Sequence, residues 1–358
     1  MIQYLIKRII YGILVLWGVL TLVFFLFTVL PGDPARMMLD QREDSQQLRT
    51  LKQKYGFDKS ISTQYFLYLN DLSPLSIHSK NNDAFNYVLS GKYNYRTILE
   101  MKSSVLVLKT PYLRESFAKR GKSVTSVITD TFPNTFILAV AAIFIALLLG
   151  VFLGVFSAIF KDSILDRITL FLSVFGMSVP SFFSAILFAW IFGFLLADIT
   201  GLAMTGSLFE IDDYGNGEFM NLKNLILPSV TLGIRPLSVI VQLTRNSLLE
   251  VLKMDFMRTA IAKGLSKFIV LFKHGLRNAL NPVVTAVSGW FASLLSGAVF
   301  VEYIFAWNGL GKEIVDALNM LDLPVVMGAV LFIATIFVLV NFIVDIIYGI
   351  LDPRIRIT

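Results

Sequence analysis

Five stretches of this sequence carry no charged residue and each runs for about twenty positions or more: Ile9–Leu30, Pro133–Phe160, Ile168–Ala197, Pro282–Val301 and Leu323–Val344. At about 1.5 Å of rise per helical residue, each is long enough to cross about 30 Å of hydrocarbon. A sixth run, Leu225–Thr244, is interrupted only by Arg235 and starts and bends at Pro228 and Pro236, which neighbouring helices accommodate inside a membrane bundle. Six spans are therefore expected. The run Ile168–Ala197 exceeds one perpendicular crossing, and Gly176 and Pro180 predict a kink in it, because no polar cluster divides it into two. Composition agrees: 56% of residues are hydrophobic and only 16% charged, where soluble domains carry about 25% charge.

Charge placement sets the expected topology. Lys7 and Arg8 precede the first span, Lys161 and Arg167 bracket the turn after the second, and Arg354 and Arg356 follow the last, so these ends are read as cytoplasmic. The segment after Ala197, with Asp198, Glu210, Asp212, Asp213 and Glu218 against Lys223, falls outside. The first span ends in Pro31-Gly32-Asp33-Pro34 rather than a small-residue cleavage site and is too long for a signal-peptide core, which favours a retained anchor. The expected organisation is residues 1–30 as N-terminus and first span, 31–126 as an extracytoplasmic loop or small cap, and 127–358 as a core with five further spans. Within the cap, Tyr65, Phe66, Tyr68 and Leu69 suit one face of a short helix, and Ser73–Asp83 and Gly91–Arg96 read as turns. The net charge of +6 is spread over loops rather than gathered on a soluble module, which argues against nucleic acid. There is no cysteine, which removes disulfides and thiolate metal sites.

Residues 245–281 lie between two spans on the side read as cytoplasmic and carry Arg245, Lys253, Arg258, Lys263, Lys267, Lys273 and Arg277 against Glu250 and Asp255. Ser247–Lys263 predicts one helix, Gly264 its end, Ser266 the cap of a second short helix reaching Leu280, and Pro282 the start of the next span. Such a segment is either a basic connector resting on anionic headgroups or a docking element for another protein. Gly264 and Ala260 permit close backbone approach, which suits insertion into a partner's groove.

The segments Ser247-Leu248-Leu249-Glu250-Val251-Leu252, Asp255-Phe256-Met257-Arg258-Thr259-Ala260-Ile261-Ala262-Lys263-Gly264-Leu265 and His274-Gly275-Leu276-Arg277-Asn278-Ala279-Leu280-Asn281-Pro282 resemble the cytoplasmic coupling loop of permease subunits of the dipeptide/oligopeptide ABC importers, the inner membrane components of binding-protein-dependent transport systems. Lys7-Arg8 with Leu30-Pro31-Gly32-Asp33-Pro34, then Trp307-Asn308-Gly309-Leu310-Gly311, Asn341, Asp345, Tyr348-Gly349 and Pro353-Arg354-Ile355-Arg356, are similar to the same family, so the likeness covers nearly the whole chain. It departs at Asn281, where the family has an apolar residue, and over about Leu72 to Lys119, which is lengthened and remodelled.

The resemblance implies an all-α membrane protein with six transmembrane helices in the ABC importer permease fold and a long extracytoplasmic loop after the first helix. It also implies a bacterial inner-membrane location with both termini cytoplasmic, set among membrane lipid. Implied partners are a second homologous permease subunit, two cytoplasmic ATPase subunits and an extracytoplasmic solute-binding protein. Glu250, Asp255, Arg258, Thr259, Ala260, Lys263, Gly264 and Leu265 are the implied ATPase-coupling residues. No cofactor is expected on this chain; ATP and Mg belong to the partner ATPases, because no Gly-x-x-x-x-Gly-Lys-Ser/Thr loop exists and the nearest approach, Gly309-Leu310-Gly311-Lys312, lacks the first glycine and continues into Glu313.

Two charges inside the spans need separate weighing. Arg235, beside Pro236, suits either the translocation pathway, drawing a peptide carboxylate, or a pair with an acid of the partner permease. Asp345, near the inner end of the last span, suits a structural ion pair or hydrogen bond. His78 and His274 have no partner at ligand spacing, which gives no support to metal or hydrolytic chemistry. The expected function is passage of peptides as half of a pathway driven by partner ATPases. The alternatives are a nickel-complex importer permease of the same family, or an ion-gradient-driven secondary transporter, which would show paired repeats, broken helices and intramembrane acids.

Overall fold

A computed structural model describes residues 2–29, 45–81, 84, 86–87, 94–212 and 217–351. The expectations placed on Pro31–Pro34, on residues 91–93, on Asp213 and on the tail Pro353–Arg356 lie outside the described residues. Two compact units divide the chain. One holds Met1–Arg8, Thr131–Glu313 and Thr335–Thr358; the other holds Ile9–Asp130 and Ile314–Ala334.

Among the described residues, four long helices are apolar enough to cross a membrane: α1 (Ile2–Val29), α4 (Val124–Ile159), α8 (Lys223–Val251) and α14 (Leu323–Leu351). Two bent pairs bring the possible count to six: α5 (Ile164–Ser178) with α6 (Ser181–Leu195), at 110°, and α10 (Lys267–Ala279) with α11 (Asn281–Gly297), at 47°. The 110° break corrects the expectation of one kinked span over Ile168–Ala197. Its cause is local: a residue before proline is driven out of the helical region, and Val179 sits extended at φ −77°, ψ 130°, with Pro180 opening α6.

The centre of the first unit is α8, which keeps Pro228 and Pro236 inside one helix, as Pro133 is kept inside α4. Its neighbours approach closely. A methyl on Gly154 of α4 would stand 2.6 Å from Thr244 Cβ and 2.8 Å from the Val241 carbonyl oxygen, so only glycine permits this α4–α8 contact. A core of Leu138, Ala142, Ala185, Leu227, Leu232 and Leu294 lies between α4, α6, α8 and α11.

In the second unit the helical expectation holds for α3 (Ile61–Leu72), whose Tyr65, Tyr68 and Leu69 pack with Leu20 and Phe24 of α1 and Met327 of α14, while Phe66, expected on the same face, is 67% exposed. Tyr65 also shares a 2.7 Å hydrogen bond with Thr21. Before it lies α2 (Ser45–Tyr55). The all-α expectation is corrected here: β1 (Leu75–Ser79), β3 (Ser104–Lys109) and β2 (Tyr95–Glu100) form an antiparallel sheet in the order β1-β3-β2. The expected turn over Ser73–Asp83 therefore contains a strand, and Tyr95 and Arg96 open another. The alternation in β1 was hidden because it is inverted, with Ser76 and His78 buried and Leu75 and Ile77 exposed. His78 is not isolated: its Nε2 lies 3.0 Å from the Ser76 hydroxyl and its Nδ1 3.1 Å from the Asn86 carbonyl oxygen. A small hairpin, β4 (Phe209–Ile211) with β5 (Glu218–Met220), precedes α8.

Candidate coupling site

The helix expected over Ser247–Lys263 is two helices. α8 runs to Val251, a turn follows, and extended Met254 (ψ 151°) starts the short α9 (Asp255–Ala262). Composition alone favoured helix throughout. Burial decides the break, because the turn lets Met257 and Ala260 face inward onto Val155 and Ala158 of α4, Leu248 and Val251 of α8, and Val270 and Ala279 of α10. One short helix thus rests on the ends of three others.

The other face of α9 is bare. Asp255, Arg258 and Thr259 are exposed, Ile261 is 63% exposed, and Lys263, Gly264 and Leu265 continue the surface around the elbow. Gly264 has φ +78°, the left-handed conformation that ends a helix, and a Cβ there would meet nothing within 4 Å. Ser266 caps α10 as expected, its hydroxyl accepting from Ile269 N–H at 3.4 Å. The structure therefore brings Asp255, Arg258, Thr259, Lys263, Gly264 and Leu265 onto one surface. Glu250 is exposed on the preceding helix, α8. Ala260 is buried, so its small size serves packing within the chain rather than approach from outside.

Beneath this surface is a pair that the sequence reading overlooked. The Asp166 carboxylate accepts from Arg245 Nε at 2.7 Å and Nη2 at 2.6 Å, from the Asp162 N–H at 2.9 Å and from the Ser157 hydroxyl. Asp166 is 2% exposed and Arg245 13%. The fork ties the start of α5 to α8 and α4, about a turn and a half before α8 ends at Val251. A signal was available, since Ser163-x-x-Asp166 has the spacing of a reciprocal helix cap and the Ser163 hydroxyl does accept from Asp166 N–H.

At the other end of α8, about 40 Å away by helical rise, the loop Trp307–Gly311 is closed on itself. Trp307 is fully buried and donates from Nε1 to the Asn134 carbonyl oxygen at 3.0 Å; Asn134 Nδ2 donates to the Asn308 carbonyl oxygen at 2.8 Å; Leu310 N–H donates to the Thr135 hydroxyl at 2.8 Å. Glu302 on α12 (Val299–Ile304), also fully buried, accepts from Gly311 N–H at 2.7 Å and Lys312 N–H at 3.2 Å, holding the first turn of α13 (Leu310–Asn319). α12 lies beyond the Gly297 end of its candidate span. Burial pushes the Glu302 carboxyl up to about 7.

Arg235 is exposed on α8, about 24 Å by helical rise from its Val251 end, and Asp345 of α14 lies 2.5 Å from Arg8 of α1. Among the described residues no group of three or more His, Cys, Asp or Glu is placed to hold a metal ion.

A chain of apolar spans with a bare elbow seated on their ends is built as a multi-pass membrane component rather than a soluble catalyst. The family described as "Binding-protein-dependent transport system inner membrane component" matches residues 150–357, and its N-terminal companion, "Binding-prot-dependent transport system membrane comp, N-term", matches residues 1–84. The chain belongs to this family of ABC importer permeases. It is 32% identical over 99% of its length to all of a dipeptide transport system permease protein of Alkalihalophilus pseudofirmus. To a di/tripeptide transport system permease protein of Pseudomonas aeruginosa it is 34% identical, and to a glutathione transport system permease protein of Salmonella typhimurium 33%, each over 99% of both chains. An inward-facing methionine ABC transporter structure covers 64% of this chain and 97% of its own at 18% identity, with a TM-score of 0.49.

Proposed function

We propose that this chain is one half of the translocation pathway of an importer for short peptides, driven by ATP hydrolysis on two partner ATPases and supplied by an extracytoplasmic binding protein. The relatives named for dipeptide, di/tripeptide and glutathione transport support the peptide class. The observation that carries the mechanism is the two-faced α9: its inner face grips α4, α8 and α10, while its outer face, continued by Lys263, Gly264 and Leu265, is exposed. In this reading the elbow is cytoplasmic, as are both termini, and ATPase closure pushes α9 and tilts the helices it rests on, alternating which side of the pathway is open. The exposed Arg235 faces the second permease or the solute. Ile261→Arg places a charge on the bare face without touching the packed one. Uptake of a labelled dipeptide should then be lost while the chain still inserts and its partners still hydrolyse ATP. Undiminished uptake, or vectorial transport by the purified chain alone, would sink the reading.

A further inference from the structure

Between the last turn of α1 and the first turn of α14 lies a cavity of about 450 Å³. Phe24, Phe27 and Met327 give it an apolar wall, and Lys52, Lys59 and Arg114 reach it from the cap, with no acidic residue among the described residues lining it. Arg114 is fixed in place: its Nε bonds Asp71 at 2.9 Å and its guanidinium lies 5.1 Å from the centre of the Tyr68 ring. Below it, Val19, Leu20 and Leu331 close the seam between the same two helices, so the cavity ends at Met327.

The height of these groups is informative. The candidate spans of α1 and α14 are Ile6–Thr28 and Leu323–Ile346, and Thr28, Leu323 and Pro324 all line the cavity. The cations therefore stand where hydrocarbon gives way to headgroups, and the apolar wall of Phe24, Phe27 and Met327 lies on the hydrocarbon side. A soluble anion would use the cations and leave the apolar wall uncovered; a neutral lipid would do the reverse. Only a ligand with an anionic head and a long chain matches both halves.

We infer that this cavity holds one anionic phospholipid, with its phosphate against Lys52, Lys59 and Arg114 and the start of an acyl chain along the wall of Phe24, Phe27 and Met327. The site wedges the cap between two spans, so lipid would brace the cap against α1 and α14. The inference rests on the chain being a membrane component and not on the solute or the driving force proposed above.

Native mass spectrometry of the full-length chain tests it, with added phosphatidylglycerol, phosphatidylcholine of the same acyl chains, inorganic phosphate or a dipeptide. Phosphatidylglycerol should be retained about tenfold or more over phosphatidylcholine, given three cations at headgroup height. That preference should collapse in Lys52→Ala/Lys59→Ala and weaken in Lys59→Ala, whose position is exposed and whose fold is checked by elution in detergent. Equal retention of the two lipids, or an unchanged preference in both variants, overturns the inference in favour of ordinary annular lipid. Displacement of the lipid by inorganic phosphate or by the dipeptide overturns it in favour of a soluble-anion or solute site.

Discussion

The two ends of α8 solve opposite problems with the same materials. At the Val251 end, polar groups are split between a buried fork, Asp166 with Arg245, and an outer surface from Asp255 to Leu265 that makes no use of its own charge beyond an exposed 3.7 Å contact between Asp255 and Arg258. At the Asn224 end, the Trp307 loop folds its polar groups inward onto Asn134, Thr135 and Glu302. The closed loop turns its N–H groups onto acceptors of its own chain, although Glu302 Oε1 is buried without a hydrogen-bond partner among the described residues. An open face has been left for something else, and the difference separates a residue's part in stability from its part in function, which mutation can test end by end.

The largest stability effect is expected at the fork. Arg245→Ala leaves a buried carboxylate without its guanidinium and should cost about 3–5 kcal/mol, read as a large fall in the detergent unfolding temperature; a fall no greater than that of a surface change would mean solvent reaches the pair. Next comes the closed loop, where Glu302→Ala strips the acceptor from two N–H groups at a cost of about 1–3 kcal/mol.

Glu302 also carries a pH signature. Its folded carboxyl sits at about 7 against an ordinary value of 4.5. A raised acid favours the protonated fold, so its contribution is complete below about 4.5 and is lost as pH rises through about 7. Glu302→Gln should flatten that part of the stability profile, and an unchanged slope would count against burial as its cause. Smaller again is Gly264→Ala, which places a side chain at φ +78° with no clash and should cost about 1 kcal/mol by thermal unfolding. Smallest is Ile261→Arg, expected within about 0.5 kcal/mol of the parent while abolishing uptake. If that variant were as unstable as the fork variant, the open face would be a packed one and the contrast between the ends would vanish.

The four long spans were legible because hydrocarbon thickness imposes length and apolarity on contiguous residues, a signal that needs no knowledge of neighbours. The Gly264 elbow and the Ser266 cap were legible for a similar reason, since each depends on a local backbone requirement. What escaped was non-local. The Asp166–Arg245 fork joins residues distant in sequence, and nothing at either position announces the other. The turn between α8 and α9 is chosen by Met257 and Ala260 finding a core, against the helical propensity of Ser247–Lys263. The break at Pro180 was seen but underestimated, because a proline tells where a helix ends and not how far the chain then swings. Strand β1 was missed because the residues it buries, Ser76 and His78, are its polar ones.

The fork also bears on how this protein is made. Asp166 precedes Arg245 by 79 positions, so at ribosomal speeds of about 5–20 residues per second the acid emerges about 4–16 s before its guanidinium exists. Through that interval its neighbours Ser157 and the Asp162 N–H are its local donors. The turn before α5 can thus be held first by its own neighbours, and the guanidinium of α8 completes the set of donors afterwards.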